Sequence, residues 1–338
     1  MNATTLAESG IIPLWLIRIG IRQKLKHKLR IEHQKGSNAK AMLVQHLRES
    51  PIAIATDEAN DQHYQVPTEF YQLILGPRMK YSGCYWPEGV TTLEKAELAS
   101  LQLVAERAEL EDGQTILEMG CGWGSFSLWA AERFPKSHIL AVSNSQTQAA
   151  YIRSRANERG LSNLEVLTEN IVTFKPKSQF DRIVSIEMLE HMRNYEALFQ
   201  RMAKWLKDDG KAFVHVFSHR ELAYTYEASD PNDWMSNSFF TGGTMPSHDL
   251  FSHFSEHLLI EQDWKLNGKH YTQTLEAWLE RLNGNVEPIS EIFREHYGEV
   301  TRWLMRWRMF LLACSELFAY GDGREWGISH YRFVKRRN

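Results

Sequence analysis

The sequence contains very few cysteines. Only Cys84, Cys121 and Cys314 occur among its 338 residues, and they lie far apart. Three scattered cysteines predict neither a disulfide framework nor a closed zinc site, so we expect no metal. A reducing, cytoplasmic setting is the matching expectation.

The sequence also lacks an excess of positive charge and any long apolar run. Lys and Arg number 39 against 42 Asp and Glu, a net charge of −3. Non-specific nucleic-acid binding usually needs a basic excess, so we expect no nucleic-acid partner. No apolar run approaches the roughly 20 residues of a membrane span. Residues 1–10 lack the basic start and apolar core of a signal peptide.

Aromatic residues, in contrast, are plentiful at 12%. Hydrophobic residues make up 43% and charged residues 24%, which excludes a mainly disordered chain. At about 150 residues per domain, the length allows one large or two small domains. The aromatic content indicates either a planar, apolar or cationic ligand or simply a large core.

Residues 12–31 predict an amphipathic helix with Pro13 in its first turn. At i, i+4 spacing it carries a basic stripe of four residues: Arg18, Arg22, Lys26 and Arg30. One interpretation is weak contact with an anionic membrane surface. The other, which we favour, is a cap helix whose charged face lies in water. A further helix is predicted near Ala39–Arg48.

After Gly113 the pattern becomes an alternation of strands and helices. Strands are predicted at Gln114–Met119, His138–Ser143, Leu164–Thr168, Arg182–Ile186 and Ala212–Phe217. Helices are predicted at Phe126–Phe134, Gln146–Arg159 and Tyr195–Lys207, the last stopped by Asp208-Asp209-Gly210. This alternation predicts an α/β, Rossmann-like, doubly wound, mostly parallel sheet with its ligand crevice at the carboxyl ends of the strands.

The expected organisation has three parts. Residues 1–90 form an N-terminal helical cap and cofactor-closing segment, and residues 91–218 form the Rossmann-like core. Residues 219–338 supply cover helices over the substrate plus the last core strands. Within this third part the predicted elements are helices near Thr274–Leu282, Ser290–His296 and Glu299–Phe318, and a strand at Tyr331–Arg337.

A glycine-rich turn follows the first predicted strand. Gly120, Gly122 and Gly124 let the backbone turn sharply and approach a ligand closely, although they could serve packing alone. The G-x-G-x-G spacing, and the absence of an acid in Ser143-Asn144, speak against a nicotinamide dinucleotide. Glu118 suits a cofactor with a charged amino-acid portion. This is the pattern of S-adenosylmethionine methyltransferases.

An acid–base cluster, Glu187, Glu190 and His191, follows the fourth predicted strand, where catalytic groups are expected. Such groups can hold an amine and accept its proton. Alternatively, Glu190 and His191 cap the next helix or pair with Arg193.

Six further residues are candidates for the substrate pocket. His215 lies on the following strand and either points into the crevice or belongs to the core. An aromatic wall for a ring or a cationic amine could form there, with core packing as the alternative for each member. The predicted substrate-binding residues are His215, Phe217, Trp234, Phe240, Tyr271 and Trp326.

Six motifs together resemble the cyclopropane-fatty-acid-synthase superfamily of class I methyltransferases, and within it the coclaurine N-methyltransferase group. They are MKYSGCYW, CGWGS, SNSQTQ, SIEMLEHM, FFTGGTMPS and NGKHY. The resemblance runs from about residue 11 to residue 336. It implies S-adenosylmethionine as methyl donor, S-adenosylhomocysteine as product and a possible homodimer.

The resemblance also assigns cofactor contacts. Gly120, Gly122 and Gly124 would line the methionine part. The other implied contacts are Tyr81 and Ser82 over the carboxylate and sulfonium, Asn144 and Gln148 at the ribose, and Asn170 and Ile171 at the adenine. Ile186 is a further predicted cofactor-binding residue. Because relatives usually carry Asp at position 170, the adenine contact is expected to differ or to pass partly to Glu169.

Two reactions compete within this superfamily. Cyclopropane synthases modify lipid alkenes with a bound bicarbonate, and the resemblance places Glu190, His215 and Tyr271 in that pocket. Their cysteine position, however, is Gly83 here, and Glu187 replaces a small residue. An extra carboxylate suits a basic amine, so we favour N-methylation of a tetrahydroisoquinoline- or benzylisoquinoline-like amine. Lipid modification is the alternative, and a subunit that binds the cofactor without catalysis is a third.

Overall fold

The computed structural model describes residues 3–54, 66–226, 234, 239–240 and 242–337. Thr241 of the FFTGGTMPS motif lies outside them. Nine strands occur in these ranges: β1 Thr115–Met119, β2 His138–Ser143, β3 Leu164–Thr168, β4 Phe180–Ile186, β5 Leu206–His219, β6 Tyr224–Thr225, β7 Thr244–Met245, β8 Leu258–Asn267 and β9 Trp326–Lys335.

Eleven helices occur in the same described ranges. The N-terminal ones are α1 Ala3–Glu8, α2 Leu14–Gln34, α3 Ala39–Glu49, α4 Thr68–Ile74 and α5 Leu93–Arg107. The others are α6 Ser125–Arg133, α7 Gln146–Glu158, α8 Tyr195–Trp205, α9 Lys269–Gly284, α10 Val286–Tyr297 and α11 Val300–Gly323. The backbone of α11 leaves helical geometry at Tyr320. A short 3₁₀ turn, Leu189–His191, follows β4.

Seven strands form one sheet in the order β3-β2-β1-β4-β5-β9-β8. The first five are parallel, and β9 and β8 join antiparallel to complete the edge. Leu117 of β1 and Ile183 of β4 are completely buried, so one hydrophobic core lies against this sheet. The predicted α/β class with a mostly parallel sheet is confirmed.

Two boundary predictions were wrong. Asp208-Asp209-Gly210 does not end a helix, because α8 stops at Trp205 and β5 begins at Leu206. The pairing register of β4 and β5 shifts between Phe180 and Arg182, and this irregularity accommodates the polar tripeptide within the strand. The last strand begins at Trp326, not Tyr331, because it is paired along its length by β5 and β8.

The amphipathic α2 packs against the C-terminal helices through ion pairs. Arg18 donates at 2.8 Å to Glu316 and at 2.8 Å to Glu276, and Arg22 also pairs with Glu316. Burial of the Glu316 carboxylate, only 3% exposed, explains these pairs, since a buried charge needs a partner. The guanidinium of Arg18 therefore faces the protein as well as water, whereas Arg22 stays 61% exposed. Weak contact of the stripe with a membrane surface stays a prediction. No helix in the described ranges is long and apolar enough to cross a membrane.

Candidate active site

The glycine-rich turn between β1 and α6 serves both packing and ligand access. All three glycines adopt positive φ angles, +76° at Gly120, +51° at Gly122 and +76° at Gly124. A Cβ would lie 2.6 Å from Met188 at Gly120 and 2.6 Å from Ile152 at Gly124, so these two allow close packing. A Cβ at Gly122 would meet nothing within 4 Å. That position faces open space, as a ligand cradle requires.

A cavity opens beside this turn, with about 530 Å³ of space when open solvent is included. Seven of the predicted cofactor residues line it: Tyr81, Ser82, Glu118, Gly120, Gly122, Gln148 and Ile186. The sequence prediction missed Lys80, which also lines the cavity.

Four other predicted cofactor residues lie outside this lining. Gly124 forms the N-cap of α6, and Asn144 is exposed at the carboxyl end of β2. Asn170 accepts a 2.9 Å hydrogen bond from the Val172 N–H through its side-chain oxygen, closing a local turn. Ile171 is buried. Since Asn144 and Asn170 lie just beyond β2 and β3, both sit at the edge of the sheet where the crevice was predicted.

The cavity fits a polar ligand with a cationic group. Within the described part of the chain, the side-chain nitrogen of Gln148 and the hydroxyl of Ser125 are buried without a hydrogen-bond partner. Glu118 is buried, and its carboxylate accepts a hydrogen bond from Ser127. Burial raises the pKa of Glu118 to about 8. A positively charged amino group would satisfy this carboxylate, and S-adenosylmethionine carries one.

Glu187 is the centre of a second group of polar residues at the same edge of the sheet. Its φ of +48° is rare for a residue with a side chain, and such strain concentrates at functional sites. The carboxylate accepts three hydrogen bonds. Gly83 N–H donates to Oε1 at 2.8 Å, His215 Nε2 lies 3.2 Å from the same oxygen, and Tyr271 hydroxyl donates to Oε2 at 2.6 Å.

Electrostatics separates the roles of Glu187 and Glu190. Glu190 is completely buried, its Oε1 accepts the Phe217 N–H at 2.8 Å, and its Oε2 has no partner among the described residues. Burial and then the Glu187 charge raise the pKa of Glu190 well above its ordinary value. Burial also raises the pKa of Glu187, but Lys80 and Tyr271 act against the rise. The negative charge of the pair is therefore favoured on Glu187, which has three hydrogen-bond donors, over Glu190, which has one.

The positive charge near Glu187 comes from Lys80, which sequence reasoning did not identify. Its side chain is 2% exposed and donates to Ser82 Oγ at 2.6 Å and to Gly83 oxygen at 2.7 Å. These bonds hold the segment whose Gly83 N–H reaches Glu187. The Met-Lys-Tyr-Ser-Gly segment can be recognised in the sequence, but no local pattern predicts that its lysine is buried.

Aromatic rings border the acid–base cluster on one side. The Phe240 ring centroid lies 5.0 Å from the His191 ring, 5.4 Å from Phe217 and 4.9 Å from Tyr226. Tyr271 stacks on Phe318 at 4.3 Å. The Phe318 ring in turn lies 6.4 Å from Phe217. Connected contacts thus join seven predicted site residues: Glu187, Glu190, His191, His215, Phe217, Phe240 and Tyr271. Arg193, the alternative partner of the cluster, donates to Gly242 oxygen.

Two predicted substrate residues lie elsewhere. Trp234 donates through its indole N–H to Glu8 of α1 and packs on Phe239. Trp326 is 1% exposed and donates to the Tyr224 hydroxyl. Neither ring contacts the acid–base cluster in the part of the chain described, so the pocket wall near the cluster is built from Phe217, Phe240 and Tyr226.

Comparisons with known proteins agree with this geometry. Residues 53–325 match the family model described as mycolic acid cyclopropane synthetase. The chain is 37% identical to (S)-coclaurine N-methyltransferase of Thalictrum flavum subsp. glaucum, covering 97% of this chain and 94% of that protein.

A solved structure of coclaurine N-methyltransferase bound to N-methylheliamine and S-adenosylhomocysteine superposes with a TM-score of 0.93. Its sequence is 35% identical, and the match covers 98% of both chains. The cyclopropane-fatty-acyl-phospholipid synthase of Escherichia coli strain K12 is 28% identical, over 81% of this chain and 68% of that protein.

Proposed function

The chain belongs to the mycolic acid cyclopropane synthetase family, and we propose that it methylates the nitrogen of a small tetrahydroisoquinoline- or benzylisoquinoline-like amine. S-adenosylmethionine is its methyl donor and S-adenosylhomocysteine its product. The observation that carries the amine as substrate is the Glu187 carboxylate, held by three donors beside the cofactor cavity.

The cofactor would be held by residues of the cavity. Glu118 would take its ammonium group, and Gln148 and Ser125 have buried polar atoms free for its other polar groups. Bound there, S-adenosylmethionine would supply a methyl group on a positively charged sulfur. A nitrogen lone pair can attack the methyl carbon in line, and the sulfur is the leaving group.

Glu187 would prepare the amine. An alkyl amine is mostly protonated near neutral pH, and its lone pair is then unavailable. Carboxylate oxygens offer about four lone-pair sites in total, and three of those on Glu187 are occupied by donors. The remaining site can accept the amine proton, which frees the nitrogen lone pair and leaves Glu187 neutral. When that proton has passed on to solvent, the carboxylate is again an anion and can hold the cationic product.

Packing at Gly83 argues against lipid cyclopropanation. The resemblance places the cysteine of cyclopropane synthases at this position. A Cβ here would lie 2.6 Å from Ile328 and 3.0 Å from the Tyr271 ring, so the close Tyr271–Glu187 arrangement leaves no room for a side chain. The contact of Tyr271 with Glu187 thus depends on the absence of a side chain at Gly83. A homodimer and weak lipid contact by residues 12–31 stay predictions.

The test is a divided-product assay. Purified protein and S-adenosylmethionine are incubated with a pool of tetrahydroisoquinoline amines and with vesicles of unsaturated phospholipid, and each fraction is analysed by mass spectrometry. Methylation and cyclopropanation add the same CH₂ mass, so the fraction that gains it decides. We expect the gain in the amines. Gain only in the lipid, or in neither fraction, contradicts the proposal.

Glu187→Gly is the matched variant. Glycine adopts the +48° φ angle without strain, so the backbone is kept while the carboxylate is lost. Amine methylation is expected to collapse. Unchanged amine turnover would refute the role of Glu187.

A further inference from the structure

Two buried histidines connect Glu187 to a distant arginine. His330 Nε2 lies 2.9 Å from His215 Nδ1, and His330 Nδ1 lies 2.7 Å from Arg107 Nη1. With the 3.2 Å contact from His215 Nε2 to Glu187 Oε1, these residues form one hydrogen-bond series. His215 and His330 are direct partners in the register of β5 and β9, which places their side chains on the same face.

The arginine sets the direction of every bond in this series. A guanidinium only donates, so His330 Nδ1 must accept from Arg107. A neutral imidazole has one donor and one acceptor nitrogen, and His330 therefore donates from Nε2. His215 Nδ1 then accepts, which leaves the proton of His215 on Nε2, pointing at Glu187.

Charge and burial keep both rings neutral. Burial, above all, lowers the pKa of His215 and of His330 well below the ordinary value, and the positive charge of Arg107 acts in the same direction on both. Both rings are at most 3% exposed. Among the described residues no carboxylate lies within 4 Å of the Arg107 guanidinium, which instead lies over the Trp264 ring at 4.8 Å. The arginine thus has His330 as its side-chain hydrogen-bond acceptor.

We propose that Arg107 and His330 are positioning residues that hold His215 as a fixed N–H donor to Glu187, so that Glu187 is the proton acceptor of the reaction. His215 then takes no proton from the substrate, because its Nε2 already carries one. This inference rests on the proposed amine methylation only for its catalytic consequence. The tautomers themselves are a property of the free enzyme.

The direct test is ¹⁵N NMR of the imidazole nitrogens in histidine-labelled enzyme without substrate, with His215 assigned from a His215→Asn sample. We expect an N–H at Nε2 and an unprotonated Nδ1 for both His215 and His330. A proton on His215 Nδ1 would overturn the proposal. Because no amine is present, this result is independent of whether the proposed function is correct.

Paired variants test the consequence for catalysis. His330→Leu removes the donor to His215, whereas His330→Gln keeps an N–H in place of Nε2–H. We expect His330→Leu to lower kcat roughly 10- to 100-fold with a much smaller change in KM. The kcat of His330→Gln should stay close to that of the wild type. His215 should show a mixture of tautomers in the leucine variant.

Two further variants guard against an effect of packing alone. Arg107→Met removes the donor at the partly exposed end of the series. His330 and His215 should then show a mixture of tautomers, and this can be measured even if His330→Leu folds poorly. Ser329→Ala is the control, because Ser329 makes a buried 2.6 Å hydrogen bond to Ser218 across the same two strands. An equal fall of kcat in Ser329→Ala, or unchanged kcat in both Arg107→Met and His330→Leu, would refute the positioning role.

Discussion

Replacing Glu118 by glutamine should stabilise the free protein above neutral pH and weaken cofactor binding. The carboxyl is buried, and burial raises its pKa from 4.5 to about 8. Between these two values the folded protein keeps a proton that the unfolded chain has lost. The free energy of unfolding therefore falls as pH rises from 4.5 to 8 and levels off above it.

The size of the effect follows from the two pKa values. At about 1.4 kcal/mol per pH unit, the full difference corresponds to roughly 5 kcal/mol, an upper limit for this group. Glu118→Gln has no charge at any pH, so it should match the wild type near pH 5 and exceed it increasingly towards pH 8. The variant should also bind S-adenosylmethionine more weakly than the wild type, because only an ionised carboxylate pairs with the ammonium group.

Urea unfolding at pH 5, 7 and 8 measures the first effect, and calorimetric titration with S-adenosylmethionine measures the second. Glu111→Gln, at an exposed position, is the control and should show no pH-dependent gain. The reasoning fails if Glu118→Gln is no more stable than the wild type at pH 8, or if its gain is the same at pH 5. Cofactor affinity equal to that of the wild type would remove Glu118 from the cofactor site.

Three other changes test separate contacts. Tyr271→Phe removes a hydrogen bond to the charged Glu187 and should lower kcat on amines about 10- to 100-fold with KM little changed, measured by steady-state kinetics. Gly83→Ala should displace the Tyr271 ring and reduce amine turnover without creating lipid cyclopropanation; lipid product would contradict the account. Glu316→Gln should cost about 1 to 2 kcal/mol in urea unfolding, because the hydrogen bonds from Arg18 and Arg22 lose their charged acceptor while both arginines keep access to water. A change below about 0.5 kcal/mol, on the scale of ordinary surface substitutions, would show that α2 is not anchored by this carboxylate.

Local patterns were enough to predict the core of the fold. Alternating strands and helices after Gly113 identified β1 to β5, and the cluster at Glu187 was found because it follows a central strand. The glycine-rich turn was recognisable because its spacing lies between a strand and a helix. These signals depend only on neighbouring residues, so they can be seen without the three-dimensional structure.

Other features depend on pairing across long sequence distances. His330 reaches His215 through the antiparallel register of β9, and the irregular N-terminal part of β5 is set by pairing with β4. The strand β8 was not predicted because it alternates weakly at the edge of the sheet. The partners of Arg18, Glu316 and Glu276, lie 298 and 258 residues away in sequence. No local sequence pattern predicts such contacts.

The most direct test of the central claim compares the wild type with Glu187→Gln across pH on a tetrahydroisoquinoline amine. Near pH 7 the variant should lose roughly 10²- to 10⁴-fold in kcat/KM, because no carboxylate accepts the amine proton. As pH rises the amine loses this proton in solution, so the ratio of wild type to variant should shrink by about tenfold per pH unit. A ratio that stays constant from pH 7 to pH 10, or one that is near unity throughout, would contradict the assignment of Glu187 as proton acceptor.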